Sequence, residues 1–423
     1  MKNLAKKVIV SRLNSKLRNL LDTHDITIVT VTGSIGKTTT KHAIGKVLDS
    51  TRKVRYSQDS YNTDIGIPLS IFGQKVPSKL WDPRSWQKIF KEIDQELADY
   101  KYDTVVLEMA DDELMMMRKV LQIIEPDISV VSAIAPVHME RLKDIKTVVH
   151  DNWVIASGAK KIIYNADNEL LRKKAYRNDT IGFGLKHGQV KFSKISRTSN
   201  SHLKAELHIG KHKRIVHTKM IGEQNLYALL AAAAVARELD IPFGAICFEL
   251  SQVETVAGRM NLLPAINGGK IIDDSYNSSP DAVIAALKTL KSFSDTKIAI
   301  LGSMNELGSH TDSGHQEVGE AAAKVVDLLV TVGKSAGDIL APAAQRAGLD
   351  SDKIKVFRTP YEAGHYVKNI IKKGDVVLVK GSQAGVFTEE ASRILLDPKK
   401  NPADCLVRQS KVWKKRKKKS FAQ

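Results

Sequence analysis

Cysteine is almost missing from this 423-residue sequence. Cys247 and Cys405 are the only two, far apart and in ordinary contexts, so neither a disulfide framework nor a zinc site is supported. Long apolar runs are missing as well, and none approaches the ~18–20 residues needed to cross a bilayer. The first 21 residues are interrupted by Lys6, Lys7, Arg12, Lys16 and Arg18, which leaves no continuous signal core. There is no long Pro-, Gly- or Ser-rich linker, and no repeat at the ~20–50-residue periods of solenoids and propellers. Acidic residues are absent from the last thirteen positions, which carry seven cations of a chain whose net charge is +18. Hydrophobic residues at 43% and charged residues at 26% are ordinary for a globular protein, and exclude a wholly disordered chain. A cytoplasmic enzyme of two or three domains is the expectation.

What is present is a βα rhythm. Ile26–Thr32 reads as a buried strand, followed by a glycine turn and a helix over about Thr38–Leu48. Thr104–Glu108, Ile128–Ala133 and Lys161–Tyr164 are further strands, and His202–Met220 reads as a hairpin around a Gly-Lys turn. An alanine-rich helix follows over about Gln224–Leu239. The rhythm then resumes with strands at Lys270–Asp273, Lys297–Leu301, Leu328–Val332 and Asp375–Lys380. The fold class is therefore α/β, with a central domain over 26–259 built on a parallel sheet, which the glycine–lysine motif after its first strand makes one of P-loop ATPase type. A second, Rossmann-like α/β domain is expected over 260–408. Residues 1–25 form a basic amphipathic helix whose Leu4, Val8, Leu13, Leu17, Leu20 and Leu21 share a face, suited either to packing on its own domain or to a membrane surface. Residues 409–423 read as a solvated, disordered basic tail, with weak contact to an anionic membrane face or nucleic acid as the other readings.

The most informative local motif is Thr32-Gly33-Ser34-Ile35-Gly36-Lys37-Thr38-Thr39-Thr40 between a strand and a helix. Glycines let backbone N–H groups turn inward onto phosphate oxygens, and the helix N-terminus adds partial positive charge. Lys37 would reach the outer phosphates and Thr38 would ligate Mg²⁺. Val31 stands where the longer pattern has its first glycine. Glu108 ends a strand where a nucleotide-binding sheet places a carboxylate near a metal, and His138 closes another strand.

These segments together resemble the Mur ligases, the MurF branch most closely. The likeness includes Tyr61-Asn62-Thr63-Asp64-Ile65-Gly66-Ile67-Pro68, Leu107-Glu108-Met109, His138-Met139-Glu140, Asn165-Ala166-Asp167-Asn168 and Gly222-Glu223-Gln224-Asn225. It continues through Gly258-Arg259-Met260, Asp273-Asp274-Ser275-Tyr276-Asn277-Ser278-Ser279-Pro280, Leu301–Gly308, His315 and Lys380-Gly381-Ser382. The resemblance implies the family's three-domain architecture and ATP- and Mg²⁺-dependent amide formation. In that branch D-alanyl-D-alanine is joined to a nucleotide-linked muropeptide. By the same resemblance Gly33, Ser34, Gly36, Lys37, Thr38 and Thr39 bind the triphosphate, and Thr38, Glu108 and His138 hold metal. Asn225 holds the adenine, Arg259 meets the phosphates and Asp274 contacts the ribose. Asn62, Thr63, Tyr276, Asn277, Asn305, Glu306, Lys380 and Ser382 face the other substrates. Lys37, Glu108, His138 and Arg259 are the catalytic set. A monomer without a specific nucleic-acid partner is expected.

Three departures stand out. Only about 25 residues precede the first strand, too few for a uridine-gripping domain, so a UDP-linked acceptor would be recognised through another surface or protein. Asn152 falls where the family has a carbamoylated lysine, offering a neutral carbonyl oxygen at best, and a lysine restored there is expected to leave activity undiminished. Gln383 stands where the family commonly has Arg, which removes a charge-assisted contact. Two alternatives stay open: a ligase of this family acting on a different carboxylate and amine, and a ligase-derived nucleotide-binding protein without turnover.

Overall fold

The structure is a computed structural model that describes residues 2–57, 61–77, 79–109, 114–134, 145–175, 179–199, 201–383 and 385–421. Two sheets organise it. The first contains β1 (Thr27–Thr32), β2 (Val54–Tyr56), β3 (Thr104–Glu108), β4 (Ile128–Val131), β5 (Lys161–Asn165), β6 (Thr180–Gly184), β7 (Val190–Arg197), β8 (Leu203–Ile209) and β9 (His212–His217). Their spatial order is β2-β3-β1-β4-β5-β6-β7-β8-β9, parallel through β7 and antiparallel across β7-β8-β9. Sequence Thr-Ile-Val-Thr-Val-Thr suits β1 to the middle of this sheet, because β-branched side chains fit a strand covered on both faces. The chain leaves β1 towards one side and returns to β4 on the other. The loop after β1 therefore sits at the switch point where a parallel sheet opens a crevice for ligands.

The second sheet contains β10 (Asn261–Pro264), β11 (Lys270–Asp273), β12 (Lys297–Gly302), β13 (Leu328–Val332), β14 (Ile354–Phe357) and β15 (Val376–Lys380). Its order is β10-β11-β15-β12-β13-β14, parallel except for the antiparallel edge strand β10. Helices cover both sheets, as the α/β reading requires. The alanine-rich helix Glu223–Glu238 buries Ala228 and Ala231–Ala234 against the Lys37–Leu48 helix, where small side chains let the two backbones approach closely.

The N-terminal helix Lys2–Thr23 packs on its own domain. Leu13, Leu17 and Leu20 are buried in the cluster that includes Ile67, Phe72, Trp86 and Phe90, while Leu4 and Val8 stay exposed. Lys6 forms an ion pair with Asp64 at 3.0 Å. The basic tail departs from the disordered reading. Lys411–Phe421 is a helix, and its Trp413, Lys417 and Phe421 recur every four residues to form one inward face. Trp413 and Phe421 meet the Phe387 ring edge-on, and Lys417 is 1% exposed between Glu389 and Glu390. The expectation failed because it weighed the run of cations and overlooked the aromatics spaced among them. No helix among the described residues is long and apolar enough to cross a membrane.

Candidate active site

The loop after β1 is shaped by two glycines in positive-φ backbone. At Gly33 (φ +129°) a Cβ would lie 2.3 Å from Ser132 Oγ, and Gly36 (φ +83°) turns the chain into the Lys37–Leu48 helix without any side-chain cap. The first N–H groups of such a helix have no intrahelical acceptor and carry partial positive charge. Ser34 Oγ is buried and has no hydrogen-bond partner among the described residues. An uncapped helix start and an orphaned hydroxyl in one loop fit an anion with several oxygen acceptors, such as a polyphosphate. Lys37 Nζ donates to the Gly33 carbonyl, folded back over the loop it would serve.

Thr38, at the start of the helix that follows β1, meets Glu108 at the end of β3, the strand beside β1 in the sheet. Thr38 Oγ1 donates to Glu108 Oε2 at 3.0 Å, and Glu108 is buried at the C-terminal end of β3. This hydroxyl and carboxylate are hard oxygen donors, and Mg²⁺ commonly takes just one or two such protein ligands beside substrate phosphates. The donor set fits that ion. Among the described residues no group of three His, Cys, Asp or Glu side chains could hold a metal by itself. His138 lies outside the described residues. Lys41 was not singled out from the sequence, yet its buried ammonium lies 3.5 Å from Glu108 Oε2. The available signal was its position one turn after Lys37, on the same helix face.

A cavity of about 600 Å³ opens from this loop to the second sheet. From the first sheet and its helices it is lined by Ser34, Gly36, Lys37, Thr38, Thr39, Asn62, Glu108 and Asn225. Arg259, Asp274, Tyr276, Asn277, Asn305, Glu306, Lys380 and Gln383 line the opposite wall. Asn225 is anchored by a 2.9 Å bond from Nδ2 to the Ile221 carbonyl. The Arg259 guanidinium stacks 4.0 Å from the centre of the Tyr276 ring, and its buried Nε has no partner among the described residues. Asp274 pairs with buried Lys380 at 2.6 Å and accepts the Met260 N–H at 3.1 Å, so a ribose hydroxyl would have to share that carboxylate. Beside it Asp273 is fully buried, which pushes its acid up to about 6, while a hydrogen bond from Ser392 pulls the other way.

Gly33, Thr63 and Ser382 do not line the cavity. Thr63 Oγ1 accepts the Gly66 N–H at 3.0 Å and so fixes the start of the Gly66–Ile71 helix. Ser382 Oγ accepts the Asn305 N–H at 2.8 Å and holds the turn in which Glu306 takes a left-handed conformation (φ +65°). His315 supports the same turn. Its Nε2 accepts the Met304 N–H at 3.0 Å and Nδ1 donates to the Thr311 carbonyl at 2.7 Å, an arrangement that requires the neutral ring, and burial lowers its pKa accordingly.

Asn152 also stays off the cavity wall. It is fully buried, its Oδ1 accepts from Thr32 Oγ1 at 2.7 Å, and its Nδ2 donates to the Val148 carbonyl at 2.9 Å. The amide is built into the support of β1, the strand that carries the phosphate loop, so a cost in stability is expected from a lysine there even though the sequence reading expects activity to be undiminished. Asn152→Lys should destabilise the fold by about 2–4 kcal/mol, because it breaks both bonds and buries an ammonium. Urea unfolding measures this, and an unchanged midpoint would show that the site accepts a lysine after all.

Sequence comparison decides the family. The Mur ligase middle domain profile matches residues 31–236, and the Mur ligase, glutamate ligase domain profile matches residues 258–383. The chain belongs to the Mur ligases. It is 26% identical over 377 residues to the UDP-N-acetylmuramoyl-tripeptide–D-alanyl-D-alanine ligase of Bacillus subtilis, covering 88% of this chain and 76% of the relative. The enzyme of the same name from Escherichia coli is 25% identical over 381 residues, covering 86% and 75%. Among solved structures, the MurF ligase from Thermotoga maritima in complex with ADP superimposes with a TM-score of 0.74 at 27% identity, covering 91% of this chain and 84% of that one. The phosphate loop and the Arg259–Tyr276 wall fall within the two matched segments of this Mur ligase, whereas Glu389, Arg408 and Lys417 lie beyond them.

Proposed function

We propose that this chain is a MurF-type ligase that uses ATP to join D-alanyl-D-alanine to a UDP-N-acetylmuramoyl-tripeptide-like acceptor, releasing ADP and phosphate. The observation that carries the reading is the single cavity in which the phosphate loop and the Thr38–Glu108 pair face Arg259, Asp274 and Lys380. Relatives named for this reaction cover most of their length with this chain.

A carboxylate is a poor electrophile, so an acceptor carboxylate oxygen first attacks the γ-phosphorus of ATP and ADP leaves. The neutral amine of the dipeptide then attacks the acyl carbon of the resulting acyl phosphate, and phosphate departs with the C–O electron pair and takes up the proton that the nitrogen releases. The first step chiefly needs positioning and neutralisation of charge. Lys37 and the helix start hold the phosphates from one side, and Arg259 meets them from the other. Thr38 and Glu108 would hold Mg²⁺, which supplies positive charge at the phosphate oxygens when bound, with His138 a further candidate ligand. The division at Arg259 makes 26–259 and 260–408 the two lobes of the site, and closing them excludes water from the acyl phosphate.

ADP release tests the reading, with Mg²⁺, ATP, D-alanyl-D-alanine and UDP-N-acetylmuramoyl-tripeptide, and mass spectrometry of the product. Release that needs both substrates and yields the pentapeptide supports it. Release with a different acid and amine would move the assignment to another pair, a reading favoured by Gln383 on the cavity wall.

In this reading the chain works in the cytoplasm as a monomer, and the use of ATP together with the wall-precursor substrates named for its relatives supports the cytoplasmic setting. The Lys411–Phe421 helix exposes Lys411, Lys414, Lys415, Arg416, Lys418 and Lys419 with no acid among them. That face complements an anionic lipid surface, at about 1 kcal/mol per cation near it. Co-sedimentation with phosphatidylglycerol vesicles should be lost at high salt. It should also be lost in a Lys414→Gln, Lys415→Gln, Lys418→Gln, Lys419→Gln variant that keeps ligase turnover. Equal binding by variant and parent would remove the membrane contact.

A further inference from the structure

Arg259 has the phosphate-facing role in the reading above, and its aim depends on what lies beneath it. With Nε unpartnered among the described residues, the guanidinium rests on the Tyr276 ring at 4.0 Å. The backbone of Tyr276 is fixed at both ends. Its N–H donates to the Gly258 carbonyl at 3.1 Å, tying it to the residue before Arg259. Its carbonyl accepts from Arg408 Nη1 at 2.9 Å, and the Ser275 carbonyl accepts from Arg408 Nη2 at 2.6 Å.

Arg408 is held in turn. Its Nε and Nη2 donate to the two oxygens of Glu389, each at 2.8 Å, a bidentate pairing that fixes the plane of the fork. Its own backbone is left-handed (φ +57°), a costly conformation for a side chain of this size and one maintained where the surroundings over-determine it. Glu389 is completely buried, and its second cation is Lys417, with Nζ 2.7 Å from Oε1. The same ammonium lies 2.7 Å from Glu390, which also accepts from Arg393 at 2.7 Å. A continuous series of charged and hydrogen-bonded groups therefore runs from the C-terminal helix to the arginine on the cavity wall.

We propose that Arg408 and Lys417 are positioning residues for the nucleotide: they fix the Tyr276 platform that aims Arg259 at the phosphates. The inference rests on the ATP-dependent reading of the cavity. Lys417 contributes by holding Glu389, and Glu389 contributes by orienting the Arg408 fork. A small displacement of a charge-stabilising group costs a reaction about tenfold to a hundredfold, so the variants lose kcat while the melting temperature reports folding separately.

A cycle of variants tests this. Lys417→Met should lower kcat about tenfold, and Lys417→Arg should restore it to within about twofold. Arg408→Lys, which keeps the charge but loses the fork, should lower kcat as Lys417→Met does. In a Tyr276→Ala background neither substitution should lower kcat further, because the platform through which they act is gone. Losses that multiply independently in the double variants would make the cluster merely structural and overturn the proposal. Unchanged kcat in the single variants would overturn it equally. If Lys417→Met does not fold, Arg408→Lys with its Tyr276→Ala double variant carries the same test. An unsubstituted protein without turnover would refute the ligase reading instead. The cycle is then read on Mg·ATP affinity by equilibrium dialysis, with a fall of several-fold that vanishes in the Tyr276→Ala background expected.

Discussion

ADP release by the Lys37→Ala enzyme is expected to fall by about three orders of magnitude or more, with the melting temperature within a few degrees of the unsubstituted protein. The rate effect follows from what the reaction asks of this site. Phosphoryl transfer needs charge neutralised at oxygens that gain it in the transition state, and a fixed ammonium in a water-poor cleft does this far more effectively than solvent. Lys37 stands at the first helical position after Gly36, with its Nζ on the Gly33 carbonyl of the same loop, so it can turn from that carbonyl to a phosphate without disturbing the sheet. The small stability effect follows from location: a half-buried side chain at a helix start contributes little to the core beneath it. Normal turnover in this variant would remove the phosphate-loop assignment and the mechanism with it.

Glu108→Gln should lower turnover about a hundredfold at moderate Mg²⁺ and shift the Mg²⁺ concentration for half-maximal rate upward by tenfold or more. A carboxylate and an amide have nearly the same shape but very different affinities for a small, hard dication. The amide can still accept the Thr38 hydroxyl, so the 3.0 Å contact at the end of β3 need not break. The buried Lys41 ammonium loses a negative neighbour at 3.5 Å, which adds unwanted positive charge where a dication must bind. A titration of rate against Mg²⁺ measures both effects. An unchanged Mg²⁺ requirement would take Glu108 out of the metal site and leave its pairing with Lys41 as its role.

Much of the fold was readable because long apolar strands and a glycine-marked turn are local signals. β3, β11 and β13 fall on the segments expected, and β1 and β15 begin one residue later than expected. β2, β6, β7, β10 and β14 were not expected, and the physical reasons are plainest for three of them. β2 has three residues, β6 includes Gly182 and Gly184, and β14 is an edge strand with exposed Val356. Residues lining the cavity were legible where a motif announced them, as at Lys37, Arg259 and Tyr276. Thr63 and Ser382 belong to the same motifs but support the turns behind the wall, because a motif marks a shared backbone shape as well as shared contacts. Lys41, Arg408 and Lys417 carry no motif. Their partners are remote in sequence, Glu108 for the first and Glu389 for the other two, and only folding brings those pairs together.

The position of Lys417 has a consequence for how the chain comes into being. A ribosome delivers the protein from its N-terminus, so Tyr276 emerges long before the helix whose ammonium completes its support. Until that helix is released, Glu389 has one of its two cations at most, and the platform under Arg259 is unfinished. A nascent chain interrupted after the Glu389–Leu395 helix would carry every phosphate-loop residue and still lack an aimed arginine. Emergence of the Lys411–Phe421 helix would thus set when the site reaches full rate, with ATP consumed about tenfold more slowly before synthesis has passed Lys417.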